Sequence, residues 1–341
     1  MTPHGIPTST RRRLTSGLGR LTVALAVASL AVVATAPVAR AAWPERPITI
    51  LVPLPPGGPA DAVARTVAQK LQERFGQPIT VDNKPGALGL IAAEAGARAR
   101  PDGYTIVMVS SGLVIQAATQ PRNVRFDIHK DLQPITYAVR VPMVVAANPS
   151  APFQSLRQLV EHAKAKPGGL SVGVSPGLGG SAHLTLIRMK LGFGLDVVPV
   201  PYKGSAPAIQ ALLANEVPVI IDTLAGASSL INDGKIRALA TLTEAPTVSH
   251  PTIPTIAGAG FAGYDLDTWN GFMVPGGTPA NIVALLHKEI TAALNLPDVK
   301  ARILAIGLEV ATNTPEQFAE RLASGVQLWS KVVKDSGLTF E

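Results

Sequence analysis

Five short stretches carry the residue types from which ligand-holding loops are built: glycine, serine and threonine where an apolar strand pattern gives way to a helical one. The first, VPLPPGGPAD (52–61), runs from a strand end through two glycines into a helix. The second is Ser110-Ser111-Gly112, also at a strand end, and the third is SPGLGGS (175–181), ahead of another helical pattern. The fourth is VPYKGS (200–205) and the fifth Asp222-Thr223. Helix N-termini present N–H groups without intrahelical partners and a partial positive charge, so such loops hold a carboxylate without an arginine. The plainer reading of the first loop is a tight turn, with glycine relieving strain and Asp61 capping the helix. Lys203 offers a cation to a ligand carboxylate, although a lysine after a proline turn is commonly just solvated. Tyr202 offers a flat apolar face and a hydroxyl. Asp222 reads equally as a strand-end cap or as a ligand contact, and as a contact it favours an amine or hydroxyl and repels a second carboxylate.

Two other patterns suggest enzymes and are weaker. Gly173-Val174-Ser175-Pro176-Gly177 matches the nucleophile elbow of serine hydrolases, with Asp222 and His250 or His287 as formal partners. Pro176 lacks the backbone N–H that the residue after the nucleophile normally gives to the oxyanion hole, which argues against hydrolysis at Ser175. Gly258-Ala259-Gly260-Phe261-Ala262-Gly263 has the spacing of a dinucleotide fingerprint, but it follows prolines with no clear strand before it or helix after it. His129, His162, His183, His250 and His287 are scattered without metal-ligand spacing, so neither a metal nor a cofactor is expected.

The elements that must position these loops alternate in the manner of βαβ units, which predicts an α/β fold with mainly parallel sheets. Strands are expected over 48–52, 104–109, 170–174, 197–200 and 217–222. Helices are expected over 60–75, from an N-cap at Ser155, over 182–191, after Ser205, and over 279–296 and 315–336, the last two with proline near the start. Two β-type stretches, 135–147 with Pro142 inside it and 264–274, look like crossings between two halves of the fold.

The first 42 residues have a different character. Arg11, Arg12, Arg13 and Arg20 precede an apolar run over 21–33 and then Ala39, Ala41 and Ala42, the pattern of a cleaved signal peptide. The run is shorter than the roughly 20 apolar residues of a membrane span. The segment holds five of the 30 basic residues and no acid, so the remaining chain carries 25 basic against 23 acidic residues instead of the formal +7. A nucleic-acid partner is therefore not implied. No cysteine is present, which excludes disulfides and a cysteine nucleophile. A hydrophobic content of 47% with 16% charged residues places the chain among globular proteins.

From Trp43 onward the sequence resembles the Bug family of periplasmic solute-binding receptors for tripartite tricarboxylate transporters. The resemblance rests on motifs in fixed order: WPERPITILVPLPPGGPAD (43–61), VDNKPGALGLIAAE (81–94) with PDGYTIVM (101–108), SVGVSPGLGGSAHL (171–184), VPVPYKGSAPAIQALL (198–213) and GFMVPGGTP (271–279). It implies a non-catalytic, two-lobed α/β clamp of type II-like periplasmic-binding architecture, each lobe a mixed, mainly parallel sheet flanked by helices. Residues 43–143 and 264–341 would form one lobe and its hinge crossing, and 144–263 the other. It also implies a small organic acid held between the lobes, whether a di- or tricarboxylate, an acidic amino acid or an aromatic acid. The expected partner is a membrane permease, with a two-component sensor as the alternative, and the expected state is a monomer. Carried over by position, the ligand residues are Leu54, Gly58, Pro59, Ala60, Asp61, Ser110, Ser111 and Gly112 from one lobe. From the other they are Ser175, Gly180, Ser181, His183, Tyr202, Lys203 and Asp222. Many relatives have phenylalanine at Leu54, glycine at Leu88, asparagine at Leu90 and Phe-Asp-Asn at Ile221-Asp222-Thr223, departures that bear on which acid is bound. Trp269, in the second crossing, is placed to pack the hinge or to line the cleft.

Overall fold

Ile48–Val52 (β1), the run ITILV, is β-branched at four of its five positions and buried at four, which suits a strand covered on both faces. It leads through a glycine turn into Pro59–Phe75 (α1), which has proline at its first position and buries Val63, Val67 and Leu71 as one stripe. Gly76, at φ 65°, ends that helix in the left-handed conformation and donates its N–H to the Gln72 carbonyl. The computed structural model describes residue 1 and residues 43–340, so the expected signal segment lies outside the described residues except for Met1.

The chain continues through Ile79–Asn83 (β2), Leu90–Ala97 (α2), Thr105–Ser110 (β3), Ser111–Thr119 (α3), Leu132–Val141 (β4) and Met143–Ala147 (β5). Then come Leu156–Ala165 (α4), Ser171–Val174 (β6), Ser181–Phe193 (α5), Val198–Pro201 (β7), Ser205–Leu213 (α6), Val219–Thr223 (β8), Leu224–Asn232 (α7) and Arg237–Thr241 (β9). Thr268–Pro275 (β10), Ala280–Asn295 (α8), Pro297–Ala305 (α9), Glu309–Val310 (β11) and Pro315–Ser336 (α10) complete the order. The expected strands and helices are present with ends displaced by a residue or two, while the two crossing stretches shift by three and four at their starts, to 132 and 268, and the first is divided at Pro142; Ser155 caps α4 by accepting from the Gln158 N–H. Helices α2 (LIAAEAGA) and α7 (LAGASSLIN) were not anticipated; in α2, small residues on every face give little amphipathic contrast. Ser110-Ser111-Gly112 is not a free loop: β3 ends at Ser110 and α3 starts at Ser111.

Two sheets result, one in the order β11-β4-β10-β3-β1-β2 and the other β7-β6-β8-β5-β9. The chain passes from the first to the second at Pro142, between β4 and β5, and returns between β9 and β10. The helices cover these sheets in the α/β clamp architecture. Both sheets are mixed, which modifies the expectation of mainly parallel pairing. Parallel pairing holds for β1 with β2 and β3 and for β6 with β7 and β8, while the remaining pairs are antiparallel. The reason is the hinge. A strand that leaves a lobe runs toward the crossing and one that enters runs away from it, so β10 opposes both β3 and β4, and β5 opposes both β8 and β9. It follows that β1, β3, β6 and β8 all point their C-terminal ends toward the crossing.

At the crossing, Tyr137, Trp269 and Phe318 form an aromatic cluster, with Trp269 and Phe318 edge to face at 5.4 Å and Tyr137 and Phe318 at 6.2 Å. Beside it, Asp267, whose side chain is only 1% exposed, accepts from Arg140 Nε at 2.6 Å and from an Arg321 terminal nitrogen at 2.9 Å. The cluster admits Phe318 because residue 271 is glycine: a Cβ there would lie 2.3 Å from Phe318 Cζ and 3.0 Å from the Thr136 carbonyl. Gly271→Ala is therefore expected to cost about 1–3 kcal/mol. The measurement is urea unfolding, where the midpoint should fall with the slope unchanged; an unaltered midpoint would show that the Phe318 contact is not tight.

Candidate functional site

The strand directions determine where helices begin. Because β1, β3, β6, β7 and β8 run toward the crossing, the helices that follow them start there, and a cavity of about 520 Å3 opens among those starts. From the first sheet its wall takes Leu54, Pro59 and Ala60 at the head of α1, and Ser110, Ser111, Gly112 and Ile115 at the head of α3. From the second it takes Pro176, Ser181 at the head of α5, Ser205 at the head of α6, and Thr223, Ala225 and Gly226 at the head of α7. Val141, Thr268, Trp269 and Asn270 come from the crossing strands, and Leu88, Ile306 and Leu308 close the apolar side.

Among the described residues, no ionisable side chain is part of this wall. Its polar character comes from serine and threonine hydroxyls, Asn270 and the N–H groups of first helical turns, which have no intrahelical acceptor. Five helices contribute such turns, each with the positive end of its dipole at the cavity. Some of these donors are already committed: the Leu224 N–H goes to the Pro142 carbonyl at 2.7 Å and the Gly226 N–H to Thr223 Oγ1 at 3.3 Å. The chemical capacity of the site is to hold an anion by neutral donors, with an apolar side for a carbon skeleton.

The model of the tripartite tricarboxylate transporter receptor family, TctC, matches residues 63–338. The chain belongs to this family. Protein BugT of Bordetella pertussis is similar to this TctC-family receptor at 35% identity over 304 residues, 89% of this chain and 93% of BugT. The solved structure of the periplasmic binding protein BugD, 30% identical, covers 88% of this chain and 100% of BugD with a TM-score of 0.73. An R. palustris protein solved with adipate, 33% identical, covers 87% of this chain and 99% of its own with a TM-score of 0.75.

Several residues singled out from sequence stand in the wall of the TctC-family cavity: Leu54, Pro59, Ala60, Ser110, Ser111, Gly112 and Ser181. Others sit beside the wall and shape it. Gly58 is the N-cap of α1 and Gly180 that of α5. Asp61 is 3% exposed and fully engaged, with Oδ2 accepting from the Gly57 N–H and Arg65 Nε, and Oδ1 from Asn83 Nδ2. Burial pushes its carboxyl up, but the hydrogen bonds from Arg65, Gly57 and Asn83 and the Arg65 charge outweigh this and hold it below its ordinary value. Asp61 thus organises the loop ahead of α1. Ser175 is buried behind Pro176, and His183 accepts from the Gly179 N–H through Nδ1 at 3.0 Å. Burial, helped by the Lys190 charge, lowers the His183 pKa, consistent with a neutral ring in that role.

Tyr202 packs its ring over Gly173, where a Cβ would come within 3.1 Å of Tyr202 Cε2, and Lys203 is exposed. Neither lines the cavity. The residue of that motif that does is Ser205, three positions after Tyr202. Thr223 likewise lines it in place of its neighbour Asp222. Both follow from one signal available in the sequence, the position at which each helix begins. Trp269 both packs in the hinge cluster and lines the cavity, whereas Ile306 and Leu308 arrive from a distant part of the chain without a local signal.

Asp222 is 2% exposed, and its Oδ1 accepts from Ser205 Oγ and from the Thr223 N–H, each at 2.6 Å, while Oδ2 has no protein partner. Burial raises its carboxyl above the ordinary value of 3.8 despite the hydrogen bonds from Ser205 and Thr223. A carboxyl raised by folding costs nothing below its unfolded pKa, and the cost grows as pH climbs through the native one. Asp222→Asn is accordingly expected to raise the thermal midpoint at pH 8 by roughly 2–4 °C, on the order of 1 kcal/mol, with the gain shrinking toward pH 4. Differential scanning calorimetry across that range checks it, and a gain that grows on acidification would contradict the sign.

Proposed function

We propose that the chain is an exported solute receptor that captures a small organic carboxylate between its lobes and presents the closed form to the permease of a tripartite tricarboxylate-type transporter. The observation that carries this reading is the gathering of five helix starts around one cavity whose wall, among the described residues, holds no ionisable side chain. Such a wall neutralises one carboxylate through oriented N–H groups and hydroxyls without itself requiring a counter-charge in the empty state. The adipate held by the R. palustris relative supports the ligand class, and the periplasmic description of BugD supports the location. The signal-type pattern of residues 1–42 supports export.

In this reading the lobes comprise residues 43–143 with 264–341, and residues 144–263. Ligand contacts fall to Leu54, Pro59, Ala60, Ser110, Ser111, Gly112 and Ser181, while Gly58, Asp61, Ser175, Gly180 and His183 hold those contacts in place. Capture begins with the carboxylate taken by first-turn N–H groups, and hinge closure at the two crossings then expels water and strengthens those hydrogen bonds. Catalysis has no part in the cycle. Against a serine hydrolase stand Pro176, which offers no oxyanion N–H, and the engagement of His250 with Ser228 Oγ at 3.1 Å and Ser249 Oγ at 3.0 Å.

The test is a thermal-shift screen of the chain from residue 43 onward against di- and tricarboxylates, acidic amino acids, aromatic acids and neutral sugars. An acid present at a hundred times its Kd should stabilise the native state by about 2.7 kcal/mol. Trp269 emission should change on binding, since the ring forms part of the cavity wall. Ser110→Asp and Ser110→Asn, both competent N-caps, separate charge from shape: the aspartate variant should bind the acid at least about tenfold more weakly than the asparagine variant. Stabilisation by sugars and by no acid, or equal binding by the two variants, would overturn the anion-receptor reading.

A further inference from the structure

We propose that the second-lobe end of the cavity is built for a hydroxyl group, so that the preferred ligand is a hydroxy acid with one carboxylate at the first lobe and no second carboxylate at Ser205. This rests on the carboxylate-receptor reading of the same cavity. The argument is one of hydrogen-bond direction. Asp222 Oδ1 receives two donors, Ser205 Oγ and the Thr223 N–H, each at 2.6 Å. An oxygen that accepts twice is not the protonated one, so any proton on Asp222 sits on Oδ2, which has no protein partner. In either protonation state the Ser205 hydrogen is therefore committed to Asp222, and Ser205 Oγ turns only lone pairs toward a ligand.

Thr223 is engaged in the same way: its Oγ1 accepts from the Gly226 N–H at 3.3 Å, and its hydroxyl, like its N–H, is drawn to the Asp222 carboxyl. Gly226 lines the cavity beside both hydroxyls, and a Cβ there would stand 3.1 Å from Ser205 Cβ, 3.2 Å from Ser205 Oγ and 3.3 Å from Thr223 Oγ1. The absent side chain keeps the pair uncovered. A Ser205 oxygen whose own hydrogen is committed fits a ligand group that donates, which a hydroxyl does and an ionised carboxylate does not. Behind Ser205, no lysine, arginine or histidine pairs with the Asp222 carboxyl among the described salt bridges, so a ligand carboxylate would face lone pairs backed by an uncompensated buried acid.

The experiment uses matched sets at pH 7.5 by calorimetric titration: butyrate, 4-hydroxybutyrate and succinate; hexanoate, 6-hydroxyhexanoate and adipate; benzoate, 4-hydroxybenzoate and terephthalate. In the set that binds best, the hydroxy acid should bind about tenfold more tightly than both the parent acid and the diacid. Ser205→Ala removes the acceptor and Gly226→Ala covers it, and each should reduce the ratio of hydroxy acid to parent acid toward one. A diacid that binds as tightly as the hydroxy acid overturns the inference while leaving the carboxylate receptor intact, and so does a ratio unchanged in both variants. If no acid binds in any set, the receptor reading falls and takes this inference with it. Should a variant fail to fold, the ligand ratio of the unmodified chain still decides.

Discussion

Strand direction relative to the hinge is the constraint on which the rest of this structure depends. A chain that must leave one lobe and re-enter it can do so only with strands of opposite sense, and the departing sense is shared by β1, β3, β6 and β8. Their C-terminal ends therefore meet at the interlobe cleft, and the helices that follow begin there. Since a right-handed α-helix leaves its first N–H groups unpaired, the cleft acquires donors and positive dipole ends as a by-product of topology. An anion site then needs no lysine or arginine, and among the described residues the wall contains neither.

Two buried acids illustrate how context divides one side chain between two roles. Asp61 stands in the first turn of α1 and Asp222 one residue before the last of β8, at 3% and 2% exposure respectively. Asp61 receives donors on both oxygens, is held below the ordinary carboxyl value and fixes a loop. Asp222 receives donors on one oxygen only and is pushed up by burial. The first behaves as a structural anchor at a helix start; the second sets the polarity of the hydroxyls in front of it.

The hinge combines an apolar wedge with an ionic brace. Phe318 of α10 enters the gap left by Gly271, between Tyr137 of the outgoing crossing strand and Trp269 of the returning one. Asp267, nearly inaccessible, is held by Arg140 and Arg321, which lie on the same strand β4 and helix α10 as Tyr137 and Phe318. Removing either arginine would leave a buried charge incompletely paired, and because Asp267 immediately precedes β10 the brace ties the returning crossing to β4 and α10. Trp269, shared between the aromatic wedge and the cavity wall, couples the two physically.

The sequence by itself determined the local features. β-branched runs made strands, apolar residues at helical spacing made α1 and α10, Ser155 made a cap, Pro59 and Pro315 opened helices, and a chain of motifs placed the protein among solute receptors. It also located the glycine and serine loops that surround the cavity. What it left open was which neighbour in each loop faces inward. Tyr202 and Lys203 have the more conspicuous chemistry, yet Ser205 lines the wall, and Thr223 does so in front of Asp222. The side that a residue presents at a helix start changes by about 100° per position, so an error of one or two residues in the boundary exchanges wall for support. Ile306 and Leu308 reach the cavity by packing across more than two hundred residues from the first loop, and no local pattern encodes such a contact. Periodicity and caps are properties of adjacent residues and are legible in order along the chain; a shared opening between two lobes exists only once distant strands have paired.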